Sequence, residues 1–272
     1  MPECAAQIDG LSVVIAIGGV PVRVNTSDPA FLELLQSRYA GFVSDADDAE
    51  FEFDVELTPP RTASDPDADV QVTHRAGRWL LTRGDFRAEW EPASRRGWIR
   101  QSANPYSIDA VLRIVHTLAL ARQGGFLLHA ASGVRNGKAF LFAGVSGAGK
   151  TTIAGLAPRD VTLLTDEISY VRKQGDAYVA FGTPFTGELA KLGENVSAPV
   201  EALYLLAKGP ENRIAPVSMA DAARELLANM LFFAEDPELV HGAFQTACDF
   251  VDRVPVYRLT FAPDARVWEL MR

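Results

Sequence analysis

The first hundred residues alternate short β-prone segments with turn signals, and in several segments the hydrophobic residues occupy every second position. In residues 51–57, Phe51, Phe53, Val55 and Leu57 alternate with acidic side chains, the pattern of a strand in a sheet that water reaches on one face. The apolar stretch 11–24 contains Gly18, Gly19 and Pro21 and predicts a pair of strands. Antiparallel strands are predicted at 13–17, 51–57, 79–82, 86–90 and 98–100.

One helix interrupts this β-rich region. Asp28 and Pro29 form a cap followed by a first-turn proline, and Phe31, Leu34 and Leu35 have helical spacing. The polar, proline-rich segment 59–67 predicts a loop.

The pattern changes after residue 105. A stripe of apolar residues predicts a helix that Ser107 caps and that the pair at 124 and 125 ends. Strands are predicted at 126–134, 138–143, 161–164, 168–171, 178–181, 200–206 and 257–261, and helices at 151–157, 219–232 and 237–251. The interval 133–138 is short enough for a hairpin, so the sequence predicts an α/β fold with a mixed sheet over 106–272, preceded by a β-rich region over 1–105.

A glycine-rich segment between the strand at 138–143 and the next helix has the spacing of a phosphate-binding P-loop: a glycine, four free positions, then glycine, lysine and a hydroxyl residue. Such glycines let successive N–H groups converge on one point, where a polyphosphate fits. The lysine reaches the outer phosphates, and the hydroxyl of Thr151 would bind Mg²⁺. The predicted nucleotide-binding residues are Gly144, Val145, Ser146, Gly147, Ala148, Gly149, Lys150, Thr151 and Thr152.

Composition narrows the range of partners. The chain of 272 residues is 48% hydrophobic with a net charge of −9, which fits a globular protein and argues against an extended nucleic-acid surface. Cys4 and Cys248 match no metal or redox spacing, as in a reduced cytoplasmic protein. Neither a secretion signal nor a membrane-crossing segment is predicted, because the apolar stretch 11–24 is shorter than the ~20 residues that a bilayer requires.

Several polar residues around the P-loop are candidates for chemistry. Asp166 and Glu167 end the strand at 161–164, where one carboxylate would accept a proton and the other would bind metal, the alternative being a solvated turn. His129 lies on a strand expected to pair with the one before the P-loop, and it is either a site residue or a hydrogen-bonded core residue. Glu188 lies in a glycine-bounded loop that folds over the site or forms a surface turn. Candidate contacts with the transferred phosphate are Arg122, Arg224, Arg253 and Arg258.

The order of the histidine strand, the P-loop, the acidic pair and the segment 254–259 resembles the catalytic domain of HPr kinase/phosphorylase and its relatives. The resemblance covers about 125–272. It implies a mixed-sheet P-loop domain of the phosphoenolpyruvate-carboxykinase-like type, with His129 as the active-site histidine, Lys150 as the P-loop lysine and Asp166 as the proton acceptor. It also implies that Thr151 and Glu188 bind the metal, to which Glu167 is added as the second acid of the pair. Relatives often assemble, so a homo-oligomer is expected.

The expected function is that of an ATP- and Mg-dependent kinase. It would transfer the γ-phosphate to a serine-type hydroxyl of a protein, peptide or small molecule, and the region 1–105 would help to recognise this acceptor. Ala130 and Glu167 stand where the bacterial carbon-regulation enzymes have glycine and aspartate, so the acceptor is left open. The alternatives are a nucleotide-responsive binding protein with little turnover and a nucleoside triphosphatase.

Overall fold

The computed structural model describes residues 10–59, 68–189, 192–233 and 236–271, so most of the loop predicted at 59–67 lies outside the described residues. The chain forms two compact units: Met1–Leu118 with Phe233–Asp236, and Ala119–Phe232 with Pro237–Arg272. Each unit contains one large mixed sheet.

The first unit is built on a seven-stranded sheet with the order β1-β2-β3-β7-β6-β5-β4. Its elements are β1 (Leu11–Ile17), β2 (Val20–Thr26), α1 (Pro29–Arg38), β3 (Phe51–Leu57), β4 (Gln71–Arg75), β5 (Arg78–Arg83), β6 (Phe86–Glu91) and β7 (Arg96–Gln101). The β1–β2 pair and helix α1 confirm the predictions, and the Asp28 side chain accepts a hydrogen bond from the Phe31 N–H at 2.9 Å.

The prediction that these strands are all antiparallel is wrong at the centre of the sheet. There β3 runs parallel to both β2 and β7. Parallel neighbours need a long connection, which α1 provides between β2 and β3, and the hairpins β4 to β6 provide between β3 and β7. The alternation itself is confirmed, since Phe51, Phe53 and Val55 are buried.

Helix α2 (Pro105–Ala121) follows β7 and begins two residues before the predicted cap. The Asn104 side-chain oxygen accepts hydrogen bonds from the N–H groups of Tyr106 and Ser107, at 2.9 and 3.1 Å. Asn104 is therefore the cap and Pro105 the first helical residue, and the prediction of Ser107 as the cap is wrong. Asparagine caps strongly, and proline is well suited to the first position of a helix.

The second unit is built on an eight-stranded mixed sheet. Its elements are β8 (Phe126–Arg135), β9 (Lys138–Ala143), α3 (Lys150–Gly155), β10 (Thr162–Thr165), β11 (Ile168–Gln174), β12 (Ala177–Phe181), β13 (Ser197–Lys208), β14 (Arg213–Pro216), α4 (Met219–Asn229), α5 (Pro237–Arg253) and β15 (Val256–Phe261). The order is β10-β8-β11-β12-β13-β15-β14, with β9 paired to both β8 and β13.

The predicted hairpin between β8 and β9 is confirmed. These strands are antiparallel, and Asn136 and Gly137 at the turn both have positive φ, at 53° and 74°, as in the tight turns that favour Asn-Gly. On its other edge β9 runs parallel to β13, which runs parallel to β15. The predicted mixed sheet is therefore present.

Two hydrophobic clusters cover the two faces of this sheet. Leu141, Leu203 and Leu205 pack with residues of α4 and α5, among them Phe250. Phe142, Tyr204 and Leu206 pack instead with Ile153 of α3 and with Trp268 of a short 3₁₀ helix (Ala265–Leu270). From Ala202 to Leu206 of β13, successive side chains therefore alternate between the side of α3 and the side of the α4–α5 pair.

None of the helices in the described part of the chain is both long enough and apolar enough to cross a lipid bilayer.

Candidate active site

The glycine-rich segment connects the end of β9 to α3, the strand-loop-helix order that the sequence predicts. Gly147 and Gly149 have φ of +74° and +113°, values that other residues rarely adopt. A Cβ atom on Gly149 would also lie 2.7 Å from the ring of Phe261, so a side chain at this position would displace the loop from β15.

Lys150 begins α3, and its side chain folds back over the loop. Its Nζ donates hydrogen bonds to the carbonyl oxygens of Gly144 at 2.8 Å and Val145 at 3.3 Å. Burial lowers the pKa of Lys150, and the nearby carboxylates of Glu167 and Glu188 oppose that shift. The ammonium group of Lys150 is thus held at the loop, and the carboxylates of Glu167 and Glu188 are close enough to raise its pKa.

The acidic pair lies where β10 ends, and hydrogen bonds fix both of its residues. The Thr165 hydroxyl oxygen accepts from the Glu167 N–H at 3.1 Å and the Ile168 N–H at 3.2 Å. The buried Asp166 carboxylate accepts from the Gly187 N–H at 2.8 Å and the Leu189 N–H at 3.0 Å. Asp166 therefore joins the end of β10 to the loop that carries Glu188.

His129 lies on β8, opposite Ile168 of β11. The next residue, Ala130, is opposite Ala143 at the end of β9. This confirms that the histidine strand pairs with the strand that precedes the glycine-rich loop, and it places His129 where both pairings meet.

These segments enclose one cleft of about 400 Å³. It brings together all the side chains to which the sequence assigns catalytic or metal-binding roles, although they come from β8, α3, the end of β10 and the loop after β12. Three predicted nucleotide-binding residues, Gly144, Val145 and Ala148, do not line it. The lining residues are His129, Ser146, Gly147, Gly149, Lys150, Thr151, Thr152, Asp166, Glu167, Gly187, Glu188 and Lys208.

Sequence reasoning missed Lys208, the last residue of β13, which also lines the cleft. It belongs to no motif, and the sequence signal for it is only that it follows an apolar strand, at the strand end where α/β sheets bind ligands.

The four candidate arginines do not line this cleft. Arg258 forms a two-pronged ion pair with Glu225, one contact of which is 2.9 Å, and Arg253 pairs with Asp249 at 2.8 Å. In the described part of the chain, the Lys and Arg side chains that line the cleft are therefore those of Lys150 and Lys208.

The chemistry of the donor groups suits Mg²⁺. The cleft offers the hydroxyl of Thr151 and the carboxylates of Glu167 and Glu188, and oxygen is the ligand that Mg²⁺ prefers. No cluster of three or more His, Cys, Asp and Glu residues suited to a metal occurs among the described residues. Mg²⁺ commonly takes one or two carboxylates together with substrate phosphates, so the residues fit a metal that arrives with a nucleotide.

No curated protein matches the sequence. A solved structure titled as the Hpr(Ser) kinase/phosphatase from Coxiella burnetii is 13% identical with a TM-score of 0.26, and the match covers 50% of this chain and 84% of that one. A TM-score this low does not establish a common fold.

The family comparison covers more of the chain. The model of a family described as "SynChlorMet cassette protein ScmC" matches residues 101–272. The matched region includes the whole second unit and every residue that lines the cleft. The resemblance to the HPr kinase/phosphorylase catalytic domain stays a prediction. Because the match extends over more than half of its length, the chain belongs to the ScmC family of SynChlorMet cassette proteins.

Proposed function

We propose that the protein is a cytoplasmic, Mg-dependent kinase that transfers the γ-phosphate of ATP to an alcohol group. The observation that supports this most is the convergence of Lys150, the acidic pair and the hydroxyl of Thr151 on one cleft beside a glycine-rich loop. Phosphoryl transfer needs fixed phosphates, neutralised charge and a proton acceptor, and the cleft has residues of each type.

The loop and Lys150 would bind the phosphates of the donor. Lys150 Nζ now bonds to two loop carbonyls, and it would exchange these bonds for a phosphate in the cleft. Thr151, Glu167 and Glu188 would hold Mg²⁺, which neutralises phosphate charge when bound.

Asp166 is the proposed proton acceptor. Its two oxygens each accept one backbone N–H, and an ionised carboxylate has about four acceptor positions, so room for a proton remains. The acceptor hydroxyl oxygen would form a bond to the γ-phosphorus as the bond to the β-phosphate oxygen breaks. ADP leaves, and the hydroxyl proton passes to Asp166.

The function is tested with γ-labelled ATP, Mg²⁺ and a mixture of serine-containing peptides and small alcohols. Wild-type protein is expected to bind ATP by calorimetry and to label an acceptor, whereas Lys150→Ala should label none while staying folded. Lys138→Ala is a matched control, because Lys138 is exposed and pairs with Glu201 at the other end of β9. Failure of folded wild-type protein to bind ATP or GTP with a divalent metal would refute the proposal.

A binding protein that responds to nucleotide is the second candidate, and the loop held by Asp166 favours it. Gly187 and Glu188 line the cleft while Asp166 bonds to this loop, so a bound nucleotide would change the order of the loop and a partner would detect it. This function requires tight binding with negligible turnover. ATP consumption measured with and without acceptors separates it from a kinase and from a nucleoside triphosphatase.

The resemblance to HPr kinase/phosphorylase favours a serine-type hydroxyl as the acceptor. Recognition of this acceptor by the region 1–105 and homo-oligomer formation stay predictions.

A further inference from the structure

Strand β13 extends further than its neighbour β9 at the edge where the glycine-rich loop begins. The last paired residues are Leu205 and Ala143, and β13 then continues through Lys208. A Cβ atom built on Gly144 would lie 3.5 Å from the Cβ of Leu206. The last residues of β13 therefore run alongside the start of the loop.

The direction of the Lys208 side chain follows from the alternation along β13. Tyr204 and Leu206 pack in the same cluster as Ile153 of α3. Lys208 continues this row on the same face. It is also in register with Phe261, whose ring lies against Gly149. Its position brings an ammonium group to the cleft from the sheet, whereas Lys150 comes from the helix.

The charges that line the cleft indicate a role for the Lys208 ammonium group. Among the described residues, the carboxylates that line the cleft are those of Asp166, Glu167 and Glu188, and none of the lining residues is an arginine. Lys150 is buried and bonded to loop carbonyls. Lys208 is exposed, and its side chain makes no hydrogen bond or ion pair with the described residues, so this long side chain is available to a ligand.

We propose that Lys208 is a second phosphate-binding cation and contacts the γ-phosphoryl group that is transferred. The inference rests on the proposed function. In phosphoryl transfer the charge is spread over the oxygens of the group in flight, and cations that surround it supply much of the catalysis. Lys208 would make the contact with the transferred phosphate for which the sequence suggested an arginine.

The test compares two nucleotides in Lys208→Ala. Calorimetry with Mg²⁺ is expected to show about a 10-fold loss of affinity for a non-hydrolysable ATP analogue and less than a 2-fold loss for ADP, which lacks the γ-phosphate. The kcat of labelled transfer should fall about 10- to 100-fold. Lys208→Arg should recover part of both. Lys138→Ala is the control for loss of a lysine elsewhere, and its values should match the wild type.

The outcomes separate this inference from the proposed function. Equal losses for the analogue and ADP would place the contact on the inner phosphates, and no loss for either would make Lys208 a surface residue, so both results overturn the inference. Neither affects the kinase proposal, provided that wild-type protein binds ATP and transfers phosphate. Absence of nucleotide binding by folded wild-type protein overturns both.

Discussion

Replacement of Asp166 by asparagine should release the loop that carries Glu188, apart from any effect on proton transfer. The carboxylate now accepts the Gly187 and Leu189 N–H groups at 2.8 and 3.0 Å. Asparagine keeps one acceptor oxygen, and its NH₂ group turns a donor toward the other N–H. Hydrogen bonds to a charged group contribute roughly 1.5–3 kcal/mol each, and a buried N–H without a partner costs roughly 1–3 kcal/mol.

The expected loss of local stability is about 2–4 kcal/mol. At 1.4 kcal/mol for each factor of ten, this corresponds to about 30- to 700-fold faster hydrogen exchange at the Gly187 and Leu189 amides if they exchange by local opening. Exchange followed by NMR measures this directly. A melting temperature close to that of the wild type would show that the opening is confined to the loop.

Glu188→Gln is the matched control, because its exposed side chain lies in the same loop and takes no part in these two hydrogen bonds. Its Gly187 and Leu189 amides should exchange at the wild-type rate. Exchange rates in Asp166→Asn within a factor of about three of the wild type would refute the reasoning, since a threefold change is far below the effect expected from either bond.

Three further predictions concern local energetics. Gly149→Ala should destabilise the fold by about 2–4 kcal/mol, since the clash with the Phe261 ring adds to the roughly 1–2 kcal/mol cost of a left-handed conformation. In Gly147→Ala the new methyl group faces open space, so only the conformational cost of roughly 1–2 kcal/mol is expected. Equal losses of unfolding free energy for the two variants in denaturant would contradict this prediction. Glu167→Gln should lower the pKa of Lys150 further, because the Glu167 carboxylate opposes the effect of burial. The pH at which Lys150 becomes reactive toward an acylating reagent should therefore fall in this variant, and a rise would contradict the prediction. The Lys173 ammonium group, bonded to Asp249 at 2.8 Å, keeps the pKa of this carboxyl well below its usual range. Asp249→Asn should therefore lower the free energy of unfolding by about 1 kcal/mol at neutral pH, and the values for the variant and the wild type should converge as the pH falls below about 4. A difference that stays constant with pH would disprove this prediction.

Much of the fold could be predicted because local patterns determine it. The alternation in β3 and the hairpin between β8 and β9 depend on neighbouring residues, and both were predicted. The parallel neighbours of β3 were not, since strand order is set by pairing between segments distant in sequence. Asn104 was missed as a cap because Ser107, three residues later, is also a good capping residue.

In the candidate site, too, the residues that local sequence determines were predicted, and the features that only tertiary structure brings in were missed. Lys150 was found because a motif with a physical cause fixes its position, and the acidic pair was found because it ends an apolar strand that follows the P-loop helix. Lys208 lies 58 positions after Lys150 in the printed sequence and has no motif of its own, and only the parallel pairing of β9 with β13 brings it to the cleft. The hydrogen bonds of Asp166 to the Gly187 loop also depend on tertiary structure, so the sequence suggested only a base or a solvated turn there.

The turn at Asn136 and Gly137 offers a place to attach a reporter. Both residues are exposed, and a Cβ on Gly137 would meet no atom within 4 Å. The six residues of β9 separate this turn from the glycine-rich loop, a span of roughly 20 Å at 3.3 Å per residue. A dye on a cysteine introduced at Asn136, with Cys4 and Cys248 replaced by serine, would therefore detect a fluorescent nucleotide by energy transfer without touching the cleft.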